Sequence, residues 1–247
     1  NRYNMKKILT IVGLACLSLF IVSCEKETEG ISHETNYAVF DLQGGNTIFH
    51  TLGEPFVDPG YSAKENGQNV DVTVSISSLY NGYSGNTVDA NTPDLYTIAY
   101  SATNSDGYEA STSREVYVFN TGDMVNSIEG LYTSTVVRNG SSGAQYTDME
   151  YIFITKTGDN TYSISCGIGG YYQFGRAYGV DYSAPATVVA NSIPSNDFSF
   201  EQFSVGTFGG AVDITSLTVD PSSKTIIFTS VWDSGYEFVV TLKQVQI

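Results

Sequence analysis

The chain has 247 residues, 41% of them hydrophobic, and 26 acidic side chains against 11 basic ones, a net charge of −15. That length and apolar content suffice for two domains with separate cores. The acidic balance argues against nucleic acid, whose phosphates require clustered Lys and Arg.

The N-terminus carries a targeting signal. Lys6 and Lys7 precede an apolar run from Ile8 to Val22, the charged and hydrophobic regions of a secretory signal peptide. The run is about fifteen residues, whereas a membrane-spanning helix needs about twenty. Met5 reads as the start, with Asn1 to Asn4 an upstream extension of the reading frame. Ser23-Cys24 resembles the bacterial lipobox, which implies cleavage after residue 23 and a diacylglycerol on the Cys24 thiol. Residues 1–23 hold Arg2, Lys6 and Lys7 and no acid, so without them 8 bases face 26 acids, a net −18. Such a chain has no electrostatic attraction to anionic lipid, and its membrane contact is expected through the acyl chains alone. Residues 24–35 read as a flexible tether. Its run Glu25-Lys26-Glu27-Thr28-Glu29-Gly30 resembles the acidic export signal of Bacteroides-type lipoproteins, implying an outer-membrane protein displayed on the cell exterior.

After Gly30 no stretch sustains a 3.6-residue apolar period. Short alternating segments rich in Tyr, Phe, Val, Ile and Thr are separated by turn residues such as Asn66-Gly67, Asp106-Gly107 and Asp233-Ser234-Gly235. This is an all-β pattern. Residues 36–120 form the first expected domain. Tyr96, Ile98 and Tyr100 share one strand face, and the Asp106-Gly107 turn returns the chain into Val116 and Val118. The strings Gly53-Glu54-Pro55-Phe56-Val57-Asp58-Pro59-Gly60-Tyr61-Ser62-Ala63, Tyr96-Thr97-Ile98-Ala99-Tyr100-Ser101-Ala102 and Arg114-Glu115-Val116-Tyr117-Val118 resemble, in order and spacing, the bacterial surface immunoglobulin-like repeat. The resemblance implies a β-sandwich without the inter-sheet disulfide and core Trp of antibody domains.

A short linker, Thr121-Gly122-Asp123-Met124, leads to a second domain over 125–247, with little else expected to join the two. Alternation predicts strands over 130–138, 149–156, 161–166, 171–178, 187–190, 198–203, 214–219, 225–232 and 236–243. These suit an antiparallel β-barrel or a two-sheet sandwich. Ile128-Glu129-Gly130-Leu131-Tyr132 and the Gly-Tyr-Tyr segment resemble the C-terminal domain of small Bacteroides lipoproteins that also carry the immunoglobulin-like module. That resemblance implies either no characterised function or glycan capture.

Catalytic chemistry is sparse. The only histidines are His33 and His50, no Cys/His cluster or zinc motif occurs, and neither a nucleophile elbow nor a phosphate-binding glycine loop is present. Gly167-Ile168-Gly169-Gly170 precedes a predicted strand and reads as a turn or bulge. Cys16 leaves with the signal and Cys24 takes the lipid. Cys166 shares a strand face with Tyr162 and Ile164 and reads as a buried small hydrophobe. No enzyme activity, cofactor or metal is expected.

One segment suits a ligand. Strand alternation over 171–178 would place Tyr172, Phe174, Arg176 and Tyr178 on one face. Such a face fits either cross-strand packing inside a barrel or a platform for the apolar faces of sugar rings. Trp232, beside the Asp233-Ser234-Gly235 turn, is a second candidate platform, with buried packing its alternative. The resemblances therefore imply a glycan-binding accessory of a Sus-type polysaccharide-utilisation system, with polysaccharide or oligosaccharide ligands and transporter partners. The alternative is a structural or adhesive lipoprotein with no sugar site.

Overall fold

A computed structural model describes residues 34–246. The signal peptide, Cys24, most of the tether and His33 lie outside the described residues. Tyr37 onward forms one compact unit, almost entirely β.

Eight strands make the first domain: β1 (Val39–Leu42), β2 (Thr47–Thr51), β3 (Tyr61–Glu65), β4 (Gln68–Asn69), β5 (Thr73–Ser78), β6 (Ser84–Gly85), β7 (Asp94–Thr103) and β8 (Glu109–Phe119). They form a three-stranded sheet, β1-β3-β4, and a five-stranded sheet, β2-β8-β7-β5-β6, in which β2 runs parallel to β8. The predicted face holds: Tyr96, Ile98, Tyr100, Val116 and Val118 are buried together, with Phe40, Ile48 and Phe56 against them. The motif residues meet around one ion pair. Fully buried Arg114 donates from Nη1 to Asp58, from Nε to Gly45 O at 3.0 Å, and from Nη2 to the carbonyls of Gln43 and Gly60. Asp58 also accepts from the Tyr100 hydroxyl and, at 2.8 Å, from the Gly60 N–H. Three strings lying between Gly53 and Val118 are thereby tied into one polar knot in the sandwich. His50 in β2 rests edge-on against Phe56.

The second domain is a single nine-stranded antiparallel sheet. Its strands are β9 (Gly130–Arg138), β10 (Met149–Lys156), β11 (Thr161–Ile164), β12 (Ala186–Ser192), β13 (Asp197–Phe200), β14 (Phe203–Val205), β15 (Gly209–Asp220), β16 (Thr225–Trp232) and β17 (Tyr236–Gln244). The order is β13-β12-β11-β10-β9-β17-β16-β15-β14. The two edge strands, β13 and β14, are separated in sequence only by Glu201 and Gln202. A flat sheet of nine strands at about 4.8 Å spacing cannot have its edges joined by two residues, so the sheet curls into an incompletely closed barrel. Of the two architectures expected, the curled single sheet is the one formed.

Inside the curl lies the segment the alternation misread. Residues 171–178 form no strand: Tyr171–Gly175 is a π-helical turn, closed by bonds from the Phe174 and Gly175 N–H groups to Gly170 O and from Arg176 N–H to Tyr171 O. The reason is topological. Every interior strand already has two partners, so a segment enclosed by the curl has no interior strand left to pair with. The preceding Cys166–Gly170 run is buried, held by Ser230 Oγ donating to Gly167 O and Ser134 Oγ to Gly169 O at 2.8 Å. The run is the expected turn, closed by the Gly169 N–H on Cys166 O at 3.0 Å, and its glycines also reflect lack of room: a methyl group at Gly169 would lie 2.6 Å from Val136 and 2.7 Å from Val240. Cys166 is fully buried in this inner run, as its strand face suggested, and burial pushes its thiol pKa up, which makes it a poor nucleophile.

The short linker does more than connect. Met124 and Ile128 are fully buried in the second core, where the Tyr132 hydroxyl donates to Ile128 O at 2.6 Å and lies 3.2 Å from the Met124 sulfur. The Asp123 carboxylate accepts the N–H groups of Val125, Asn126 and Ser127. Residues 121–128 thus close one end of the curled sheet. Far more than a linker joins the domains: Tyr117 and Phe119, on the outer face of β8, are buried with Leu131 and Phe153. Gln173 reaches across as well, donating to the Tyr80 hydroxyl at 2.9 Å, and burial pushes Tyr80 up to about 12.

Candidate functional site

The end of the curled sheet opposite Met124 is lined with aromatic rings. Directly paired residues of an antiparallel ladder share a face. Arg138 of β9 pairs with Phe238, and Trp232 of β16 pairs with both Tyr236 and Val212. Phe238 and Val212 are fully buried, so Arg138, Trp232 and Tyr236 also face inward, at the rim. Three loops add to them: the π turn contributes Tyr171 and Tyr172, the following loop Tyr178 and Tyr182, and the turn Gly206–Phe208 contributes Phe208. Thr207 Oγ1 ties that last turn to Asp181 O at 3.1 Å.

The rings form a continuous set. Tyr172 lies 6.2 Å from Tyr178, nearly parallel, 5.0 Å from Phe208 and 6.1 Å from Trp232. Tyr182 lies 4.9 Å from Phe208, and Trp232 lies 5.8 Å from Tyr236. Two of these rings are open to solvent: Tyr178 is 50% and Phe208 48% exposed. Trp232 is only 6% exposed, and its Nε1–H has no hydrogen-bond partner among the described residues.

Of the five residues singled out in sequence, Tyr172, Tyr178 and Trp232 come together here. Tyr172 and Trp232 belong to the core and Tyr178 to the surface, so the single ligand-facing strand face does not exist. Phe174 is instead partly buried against the core, over Gly170, and Arg176 is exposed. The missed members are Phe208, Tyr182, Tyr236 and Arg138. Phe208 had a signal, a lone aromatic beside Gly206, Gly209 and Gly210. Arg138 had one too, a charge at the core parity of Tyr132, Ser134 and Val136.

Arg138 sits among these rings. The Arg138 guanidinium carbon lies 4.7 Å from the centre of the Tyr171 ring and 4.6 Å from that of Tyr236, a double cation–π arrangement. Tyr171 stacks on Tyr146 at 4.2 Å. Burial alone would raise the Tyr146 phenol, but the Tyr171 hydroxyl, Gln145, Arg176 and Arg138 outweigh it and hold Tyr146 below its usual pKa.

Elsewhere, a cleft of about 310 Å³ lies where the domains meet, lined by Tyr80, Asn81, Phe153, Thr155, Ser163 and Pro185. None of the residues singled out in sequence lines it. Turn carboxylates are engaged locally. The Ser222 and Ser223 hydroxyls and the Ser222 N–H draw Asp220 down to about 2. Among the described residues no group of three His, Cys, Asp or Glu side chains is placed to hold a metal ion, and no helix is long and apolar enough to cross a membrane.

Comparison with known proteins identifies both halves. A family model for the Ig-like domain of bacterial surface proteins matches residues 40–118, and a family model for a C-terminal domain matches residues 121–244. The crystal structure of the lipoprotein BT2262 from Bacteroides thetaiotaomicron is similar, with a TM-score of 0.60 and 26% identity, over 84% of this chain and 100% of that one. No curated protein matches the chain. The class defined is a bacterial surface lipoprotein, an Ig-like domain followed by a curled β domain. The chain belongs to the family defined by that C-terminal domain, and its structure is similar to that of lipoprotein BT2262.

Proposed function

We propose that this lipoprotein binds glycans at the aromatic end of its second domain, as an accessory of a Sus-type polysaccharide-utilisation system. It is held in the outer membrane by acyl chains on Cys24, facing the cell exterior. The observation that carries the reading is the pair of half-exposed rings, Tyr178 and Phe208, on separate loops and backed by Tyr172, Tyr182 and Trp232. Rings left open on an aromatic base offer the apolar faces on which the C–H surface of a sugar stacks, and because the supporting rings already hold them, little further conformational freedom is lost on binding. A protein-binding role is the second reading, favoured by Ile227 and Val231, 44% and 40% exposed on the outer face of β16.

Stacking on an aromatic side chain is worth about 1–3 kcal/mol per ring on the scale measured for nucleic-acid bases. Tyr178→Ala and Phe208→Ala are therefore expected to weaken glycan binding about 5- to 150-fold, with little change in melting temperature because both rings are half in water. A glycan array followed by titration of the variants checks this. Wild-type protein that binds no glycan, or variants that bind as well as wild type, would count against the site. For the anchor, Cys24→Ala is expected to move the protein from the membrane to the soluble fraction and to abolish incorporation of a palmitate analogue. Variant protein that remains lipidated and membrane-bound would refute the anchor.

A further inference from the structure

We infer that the barrel-end site takes an acidic glycan, one whose uronate carboxylates or sulfate esters are gripped by Arg138. The inference rests on the glycan-binding reading above and narrows it to one class of sugar.

Its warrant is what surrounds Arg138. A guanidinium has five N–H donors in a fixed plane. In a chain with 26 acids to 11 bases, an inward arginine would be expected to meet a carboxylate. Yet Arg114–Asp58 is the ion pair formed among the described residues, and Arg138 takes no part in one. Its hydrogen bond is a long one, from Nη1 to the Tyr172 hydroxyl at 3.4 Å. The remaining donors are not sealed in the core either. The buried side-chain nitrogen and oxygen atoms without partners, among the described residues, are Gln173 Oε1 and Trp232 Nε1, so the free N–H groups of Arg138 reach solvent.

The stacking decides what that means chemically. Held between Tyr171 and Tyr236, the guanidinium plane is oriented before any ligand arrives, so little rotamer entropy remains to be lost. A planar, oriented fork matches a carboxylate or sulfate through two parallel charge-assisted bonds. Arg138 bonds Tyr172, whose ring touches both Tyr178 and Phe208, so a sugar stacked on the exposed pair lies beside the charge. Exposed Arg176, near the Tyr146–Tyr171 pair, adds a second cation. Two acids flank this end, Asp181 between Tyr178 and Tyr182 and Asp233 beside Trp232, and Asp233 is engaged by the Ala211 N–H at 3.0 Å; the more distant acidic surface is screened beyond about 8 Å at physiological ionic strength. A long polyanion such as nucleic acid would meet that acidic surface, whereas a single acidic sugar unit would not.

The test titrates the full chain with a uronate-containing oligosaccharide, its carboxyl-reduced counterpart, a sulfated oligosaccharide and its desulfated counterpart. The expected result is an acidic form bound about 10- to 100-fold more tightly than its neutral partner, the range for a charge-assisted bond. The uronate and sulfate arms distinguish the two sources of charge. Arg138→Gln should remove the preference, and Arg138→Lys, which keeps charge but not the fork, should keep part of it. Because Arg138 packs between two rings, the wild-type comparison stands on its own if a variant fails to fold. Equal affinity for acidic and neutral forms overturns the inference and leaves the glycan-binding reading intact. Binding of no glycan overturns both, and a preference unchanged in folded Arg138→Gln overturns the assignment to this residue.

Discussion

Asp58→Ala is expected to destabilise the first domain by about 3–5 kcal/mol, the cost of stranding a buried charge. Arg114 is fully buried, and without Asp58 it would keep only the carbonyls of Gln43, Gly45 and Gly60. The Tyr100 hydroxyl would lose its acceptor in the same step. Since a domain has about 5–15 kcal/mol in total, the variant should lose a large fraction of its stability. Near-ultraviolet circular dichroism of the tyrosines during urea denaturation reports it, because the single tryptophan lies in the other domain. The Asp58→Ala/Arg114→Met double variant should lose less than the sum of its parts, as residues in direct contact do.

The same pair has a pH signature. Burial raises the Asp58 carboxyl, but the Tyr100 hydroxyl, the Gly60 N–H and Arg114 together outweigh it and hold its pKa below the ordinary 3.8. A carboxyl depressed in the folded state contributes stability that is fully present above its unfolded pKa and lost as pH falls through the folded one. The stability difference between wild type and Asp58→Asn should therefore be constant near neutrality and shrink below about pH 4. A loss under about 1 kcal/mol at neutral pH for Asp58→Ala would show that the knot contributes no more than a surface ion pair.

The second large effect is expected at Gly169. Its φ of +64° costs an L-residue about 1–2 kcal/mol. A methyl group there would also collide with Val136 and Val240, adding about 1–3 kcal/mol of overpacking. These are β-branched side chains on central strands, with no rotamer freedom to retreat. The hydrogen bond from Ser134 to Gly169 O would be displaced too. Gly169→Ala should thus cost about 2–5 kcal/mol, seen as an earlier urea midpoint for the fluorescence of Trp232. A variant within about 0.5 kcal/mol of wild type, the range of an ordinary surface substitution, would mean that the inner segment is far looser than its contacts imply.

Local chemistry carried much of this molecule. β9, β10 and β16 begin and end where alternation placed them, because the face turned into the curl repeats with a period of two that is written directly into the residues. The sandwich motif was legible for a related reason: a turn at Pro59-Gly60 and a hairpin at Asp106-Gly107 are short-range events. The path of residues 166–182 was not legible. Its Tyr, Phe and Gly content reads as strand, and its compact turn follows from being enclosed by strands whose partners come from 100 residues away, as β9 pairs with β17. The aromatic end has the same dependence. Tyr172, Phe208 and Trp232 are far apart along the chain and meet because the sheet curls. Whether a ring is core or platform is set by its depth in that curl, which no local pattern encodes: Trp232 lies beneath the rim, while Tyr178 and Phe208 stand half in solvent.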